Sequence, residues 1–287
     1  MGGFVAVPRG GFAVDPTASM VQVTGQRWSL ETPTQPVLKG TKGIGFDAQF
    51  SRWIPASPEV FSSDGSQYAW TERENDGKDR LHLISLSDGS DRSFDVSPPR
   101  DPDLPAPHIP VPLAITRDGV ILSYGWEGLG TVWRLDPSRG LLTKIYGRVA
   151  PISYGAGAVW FSPLRGTNPV GLGGDTLARL DLASGEVQDW FHRDALQVYP
   201  IGFDMSGNPW VQVYPSLRGD GPQIDEIWRV RAPNQADLIL SGQRVWRVQG
   251  DSHGTWFGNE TGVYLYAGNR VGRVSSASVE EVLGPCL

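Results

Sequence analysis

Apolar and polar residues alternate along this chain in short runs, and almost nowhere do they recur at helical spacing. Runs such as SQYAWTE, RLHLISL and GVILSYG carry apolar side chains at every second position. No window longer than about ten residues places them at i, i+3, i+4 and i+7. A strand with that period sends successive side chains to opposite faces. The chain is therefore predicted to be almost all β.

The runs fall into a repeat. Five times a tight polar turn leads into a strand carrying an aromatic, and a second strand then ends in another turn. The first turns are Asp64-Gly65, Asp118-Gly119, Gly155-Ala156-Gly157, Ser206-Gly207 and His253-Gly254, and the aromatics are Trp70, Tyr124, Trp160, Trp210 and Trp256. Two-residue hairpin loops need positive φ, which Gly and Asn supply at little steric cost. The second turns, centred on Gly89, Gly140, Gly185, Asn234 and Gly268, are separated by 51, 45, 49 and 34 residues. A mean of about 45 is the length of a four-stranded propeller blade. The tryptophans Trp70, Trp160, Trp210 and Trp256 are expected to fill the wedges between blades at matching positions, each removing about 150–250 Å² from water.

Each unit reads as four strands, for example VFSS, SQYAWTE, RLHLISL and RSFDV in one and VWRVQGD, GTWFG, GVYLYA and RVGRVSS in another. The expected architecture is a single all-β domain, a six-bladed β-propeller of four-stranded antiparallel blades. Five blades fall at 57–100, 101–148, 149–193, 194–241 and 242–277. The sixth would combine 1–56 with 278–287, closing the ring with strands from both termini and leaving no exposed edge.

Composition narrows the function classes. With 287 residues the chain buries enough surface to hold a core without metals or disulfides, and its single Cys286 has no intrachain partner. The net charge is −6 with the two signs interspersed, which argues against a nucleic-acid partner. No run approaches the 18 or more apolar residues of a membrane-spanning helix. The opening MGGFVAVPRGGFAVDP lacks the basic start of a signal peptide and reads as a strand. The 36 Gly and 23 Pro exceed ordinary usage and fit many tight turns.

The segment Ser62-Ser63-Asp64-Gly65-Ser66-Gln67-Tyr68-Ala69-Trp70-Thr71, followed by Leu81 to Gly89, resembles the TolB-type, WD40-like propeller repeat. Leu135 to Gly140 and Leu180 to Val187 resemble the second half of that repeat, and also the turns of streptogramin-lyase and gluconolactonase-type propellers. The resemblance implies a propeller fold and an extracytoplasmic setting, bacterial envelope or secreted. Its motifs specify turns, and folds of this kind host unrelated functions.

Catalytic signatures are missing: the chain has no HExxH, CxxC, Walker loop, GxSxG or dinucleotide fingerprint. His82, His192 and His253 read as structural or turn residues, while His108, before an innermost strand, is the best channel-mouth histidine. The loops are more informative. Links between second and third strands, and links between blades, share one end of a propeller, and here they are long and varied. Binding residues concentrate on loops held by a rigid scaffold. The candidate ligand-binding residues are accordingly Arg73, Asp76, Arg80 and His108, then Trp126, Glu127, Arg165 and Asn168, then Arg218, Asp220 and Asp225.

The reading these features favour is a non-catalytic, monomeric binding propeller that engages a protein, peptide or glycan through its loop-rich face, with no cofactor. The alternative is a metal-dependent lactonase- or lyase-like enzyme. A Ca or Mg ion in its channel would then be held by oxygen ligands such as Asp204, Asn259 and Glu260.

Overall fold

The computed structural model describes residues 4–6, 13–15, 20–23, 26–29, 45–47, 52–54, 60, 62–74, 76–85, 87–88, 90–97, 110–126, 129–164, 174–215, 224–276 and 278. Three two-stranded antiparallel pairs come first: β1 (Phe4–Ala6) with β2 (Ala13–Asp15), β3 (Met20–Val23) with β4 (Gln26–Ser29), and β5 (Gly45–Asp47) with β6 (Arg52–Ile54). A three-stranded sheet follows, made of β7 (Gln67–Arg73), β8 (Asp79–Ser85) and β9 (Asp91–Asp95). The next sheet has seven strands: β10 (Val111–Thr116), β11 (Gly119–Trp126), β12 (Leu129–Asp136), β13 (Leu141–Gly155), β14 (Ala158–Pro163), β15 (Thr176–Asp181) and β16 (Val187–His192). Two four-stranded sheets complete the set. One holds β17 (Leu196–Phe203), β18 (Pro209–Pro215), β19 (Glu226–Ala232) and β20 (Gln235–Ser241), the other β21 (Val248–Asp251), β22 (Gly254–Asn259), β23 (Gly262–Ala267) and β24 (Arg270–Ser275). Each sheet is an antiparallel meander of consecutive strands, which is the topology of a propeller blade. Among the described residues there is no α-helix.

The seven-stranded sheet is two meanders sharing one strand. Residues Leu141 to Val149 of β13 pair with β12, and Ile152 to Gly155 pair with β14. The sequence separates LTKIYG from ISYG, but the backbone stays extended between them. The register shifts between Val149 and Ile152, and Arg148 takes a φ of 59°. The sheet of β7–β9 departs from the expected four strands in the other direction. Of VFSS, the described residues contribute a single parallel bridge, Ser62 to Ile115 of β10. Ser62 is instead held in its turn, where its hydroxyl donates to Asp64 Oδ1 at 2.6 Å.

Neighbouring meanders pack face to face, and strict alternation decides which face each side chain serves. On β11, Val120, Leu122 and Tyr124 pack back against Ala69, Leu81 and Leu83, while Ile121 packs forward with Val159 and Phe161. On β18, Val211 and Val213 pack back against Ala158 and Trp160, while Trp210 packs forward with Val248 and Phe257. Every residue of β14 is buried, as expected for a strand covered on both faces. Of the tryptophans expected in the wedges, Trp160, Trp210 and Trp256 are buried, whereas Trp70 is half-buried and stacks on His82 at 4.5 Å. Trp160 and Trp210 occupy matching positions, each three residues after its turn glycine; Tyr124, also buried, does not share them. Tyr124 points toward the preceding meander and Trp160 and Trp210 toward the following one, so the repeat fixes turn spacing while either face accepts the ring.

The two ends of the meanders differ. First-to-second and third-to-fourth strand connections lie at one end and are short, with an aspartate in each of several. Asp64 Oδ1 accepts from Ser66 N, Asp136 Oδ1 from Ser138 N, and Asp181 Oδ1 from Ala183 N and Ser184 N. These bonds to the ionised carboxylate, led by the Ser62 hydroxyl, hold the Asp64 carboxyl down at about 2. Meanders also approach closely here. A Cβ on Gly250 would meet Met205 N at 2.5 Å, so only glycine fits. The opposite end carries the second-to-third strand loops and the links between meanders.

Candidate functional site

Beneath the loop end runs a belt of buried polar side chains, contributed by the last residues of second strands and the first of third strands. It includes Thr71, Asp79, Ser162, Thr176, Gln212, Glu226 and Asn259. Buried polar groups need partners, and these find them in the loops and links overhead. The Thr71 hydroxyl donates to Pro110 O. Ser162 Oγ accepts from Gly174 N at 2.8 Å, and Gln212 Oε1 accepts from Val245 N at 2.9 Å. Asn259 Nδ2 donates to Gln243 Oε1 at 2.8 Å. Glu226 Oε2 accepts from both Arg193 and Trp228, each at 2.8 Å. The belt thus ties each link to the sheets on either side and holds the loop end in place.

The bonding is not complete everywhere: Arg193 Nε, Gln197 Oε1 and Trp210 Nε1 are buried without a partner. Gln197 belongs to one corner of the loop end. On β17 and β18 the face turned toward β21–β24 is apolar in its lower half, where Ile201 and Trp210 pack with Val248 and Phe257. Above them, by alternation, the same face carries Gln197, Tyr199, Gln212 and Tyr214, with Gln197 opposite Tyr214 and Tyr199 opposite Gln212. Gln197 is 6% exposed, and its Oε1 has no hydrogen-bond partner. The rings of Tyr199 and Tyr214 lie 6.4 Å apart and tilted by 46°. Tyr199 is 36% exposed.

The link from β20 to β21 forms the other wall. Arg244 lies over the Tyr214 ring at 5.7 Å and pairs with Asp225 at 2.8 Å, while Val245 is buried. Trp246 stands out from the link, 59% exposed. A Cβ on Gly202 would meet Val248 O at 2.4 Å, so β17 and the start of β21 run side by side. Both strands run away from the loop end, which sets the backbone of Trp246 about level with that of Pro200. Burial raises the Tyr199 hydroxyl and pushes Tyr214 up to about 12, so both are neutral donors and acceptors at ordinary pH. Two ion pairs stand at the corner, Arg244 with Asp225 and Arg193 with Glu226.

Of the residues singled out in the sequence, Asp225 lies at this corner. Arg73, Asp76 and Arg80 lie on the β7–β9 sheet and are engaged locally. Arg73 pairs with Asp79 at 2.8 Å and Arg80 with Glu74 at 3.2 Å, and Asp76 accepts from Lys78 N at 2.9 Å. Trp126 ends β11, its backbone paired with Leu129. His108, Glu127, Arg165, Asn168, Arg218 and Asp220 lie outside the described residues. The oxygen-ligand trio is divided between the two ends. Asp204 follows β17 at the turn end, paired with Arg229 at 2.6 Å and bonded by Asn208, whereas Asn259 and Glu260 close β22 at the loop end. Among the described residues no group of three or more His, Cys, Asp or Glu is placed to hold a metal.

Gln197, Tyr199, Tyr214, Arg244 and Trp246 were not singled out. The tyrosines sit in runs that read as blade interior, and VWRVQGD reads as a strand from Val245. β21 begins only at Val248, which leaves Trp246 in the link. A tryptophan within a few residues of Gly242, between two strands, was the available signal.

No protein-family model matches the chain, and no curated protein matches it in sequence. Its similarities are to solved structures. An oligogalacturonate lyase in complex with manganese superposes with a TM-score of 0.51 at 13% identity, over 75% of this chain and 63% of the lyase. The β-propeller domain of the Trilobed protease from Pyrococcus furiosus gives 0.51 and 13%, over 79% of this chain and 73% of that one. TolB from Acinetobacter baumannii gives 0.46 and 12%, over 78% and 56%. At such identities the likeness is one of fold, and the chain has a β-propeller fold.

Proposed function

We propose that the protein is a non-catalytic binding propeller of the cell envelope, monomeric and six-bladed, whose loop end engages a protein, peptide or glycan. The observation that carries this reading is the contrast within the loop end. A belt of buried polar groups is bonded to the links above it, and at one corner an amide oxygen is buried without a partner. The bonded groups of the belt serve the fold, and the unpaired acceptor beside partly exposed aromatic residues is the one placed to meet a ligand. The five meanders between residues 67 and 275 support the larger blade count, with 1–56 and 278–287 as the closing blade. The envelope setting rests on the TolB-type repeat at Ser62 to Thr71.

The metal-dependent reading has less support, because Asp204 and Asn259 occupy opposite ends of the sheets. Retention of envelope extract on the immobilised protein tests the proposal. Replacing Tyr199 or Arg244 by Ala should abolish capture while leaving the melting curve in place. Replacing Met205, exposed at the turn end, should not. Capture that survives the loop-end changes but fails on Met205→Ala would overturn the proposal.

A further inference from the structure

We infer that the corner between β17–β18 and the β20–β21 link is a subsite for a neutral oligosaccharide. The inference rests on the binding function proposed above and narrows its ligand. Three features of the corner point to a sugar.

The first is the aromatic wall. Tyr199 and Trp246, on neighbouring elements, are 36% and 59% exposed, and the Tyr214 ring lies 6.4 Å from that of Tyr199. The C–H face of a pyranose is flat, apolar and ringed by hydroxyls, so it stacks on such a wall while its edges stay polar; Tyr and Trp share that mixed character. Tyr199 is fixed by its strand, so little conformational freedom is lost on binding.

The second is the unpaired amide. Gln197 Oε1 is buried, and no donor among the described residues reaches it. A sugar hydroxyl can donate to it and at the same time accept from a tyrosine hydroxyl, which the neutral Tyr199 and Tyr214 provide. Gln212 is already fixed by Val245 N, so Gln197 is the acceptor left over.

The third is charge. Asp225 is bridged by Arg244 and Glu226 by Arg193, so the corner presents no unmatched carboxylate or guanidinium from these pairs. An acidic sugar, or a peptide anchored by its terminus or charged side chains, would have to break one of them. A ligand of hydroxyls and C–H faces breaks neither.

The test is calorimetric titration of the full chain with cellohexaose, xylohexaose, mannohexaose and maltohexaose. Hexagalacturonate serves as the acidic arm, and a displayed random heptapeptide library as the peptide arm. At least one neutral hexaose should bind at or below about 1 mM. Trp246→Ala, Tyr199→Ala and Gln197→Leu should each weaken it about ten-fold or more, as expected for anchors at a small site, and Met205→Ala should not. The inference is overturned if no neutral hexaose binds by about 10 mM, if binding survives both aromatic changes, or if only hexagalacturonate or peptides are held at this corner. Should the hexaoses fail while Tyr199→Ala still abolishes capture of some other ligand, the binding function stands and the sugar falls. Should capture prove indifferent to every loop-end change, both fall.

Discussion

Replacing Gln197 by Leu should make the protein more stable. Gln197 is 94% buried by its 6% exposure, and its Oε1 meets no donor. A buried polar atom left unpaired costs about 1–3 kcal/mol relative to its hydration in the unfolded chain. Leucine has a similar volume and continues the apolar surface of Ile201 and Trp210 upward. Part of the gain is lost because Tyr199, beside it, stays partly exposed, so a net stabilisation of about 1 kcal/mol is expected, or about 2 °C in melting temperature for a chain of this size. Gln212→Leu supplies the contrast. It is the same chemical change on the same face, but it removes the acceptor of Val245 N at 2.9 Å and leaves a buried N–H unsatisfied, so it should cost about 1–3 kcal/mol. Urea unfolding followed by near-ultraviolet dichroism reads both, with an unchanged m-value showing that stability alone has moved. If Gln197→Leu destabilises the protein as Gln212→Leu does, Oε1 has a partner and the reasoning about the corner fails.

Trp160 and Trp210 are essentially fully buried in successive wedges, so either one replaced by Ala should cost about 3–5 kcal/mol in the same denaturation assay; a loss under about 1 kcal/mol would mean that the wedges are not packed as described. Gly250→Ala should destabilise markedly, because its Cβ would press on the backbone of Met205 and Asp204, whereas Ala at Gly140, which has open space around it but a φ of 64°, should cost less. Hydrogen bonds from Ser62 and Ser66 hold the Asp64 carboxyl at about 2 against an ordinary 3.8, so its contribution is present above pH 3.8 and is lost as the pH falls toward about 2. Asp64→Asn should flatten the acid limb of the stability curve in that window, and an unaltered limb would remove Asp64 from the acid response.

The sequence made the fold legible because its signals are local. A turn such as Asp64-Gly65 advertises itself through the carboxylate that caps it and the positive φ of its glycine, 66° here, and the spacing of such turns yields the meanders. Which way a ring faces is not local. Tyr124 and Trp160 follow similar turns yet serve opposite wedges, because by register Tyr124 lies three positions farther along its strand, an odd step that reverses the face, and only the neighbouring sheet decides which is filled. The continuous β13 escaped for a related reason: Pro151 and Arg148 read as a break, and a register shift absorbs them.

The corner was the least legible part. Asp225 stood out as a charged residue at a loop boundary, but Gln197, Tyr199 and Tyr214 look like any alternating strand residues. What sets them apart is that β21 starts two residues beyond Trp246, so the β20–β21 link rather than a strand covers the upper half of their face. Whether a strand begins at Val245 or Val248 depends on packing against Ile201 and Gly202, which no local pattern encodes.

Hydrogen exchange, measured with and without a saturating neutral hexaose from the calorimetric panel, tests the central claim most directly. The loop-end account expects protection gathered in residues 197–199, 212–214 and 242–247, with exchange at the turn-end segments 64–66, 136–140 and 181–185 unchanged. Protection at the turn end, or none at the corner, would contradict it.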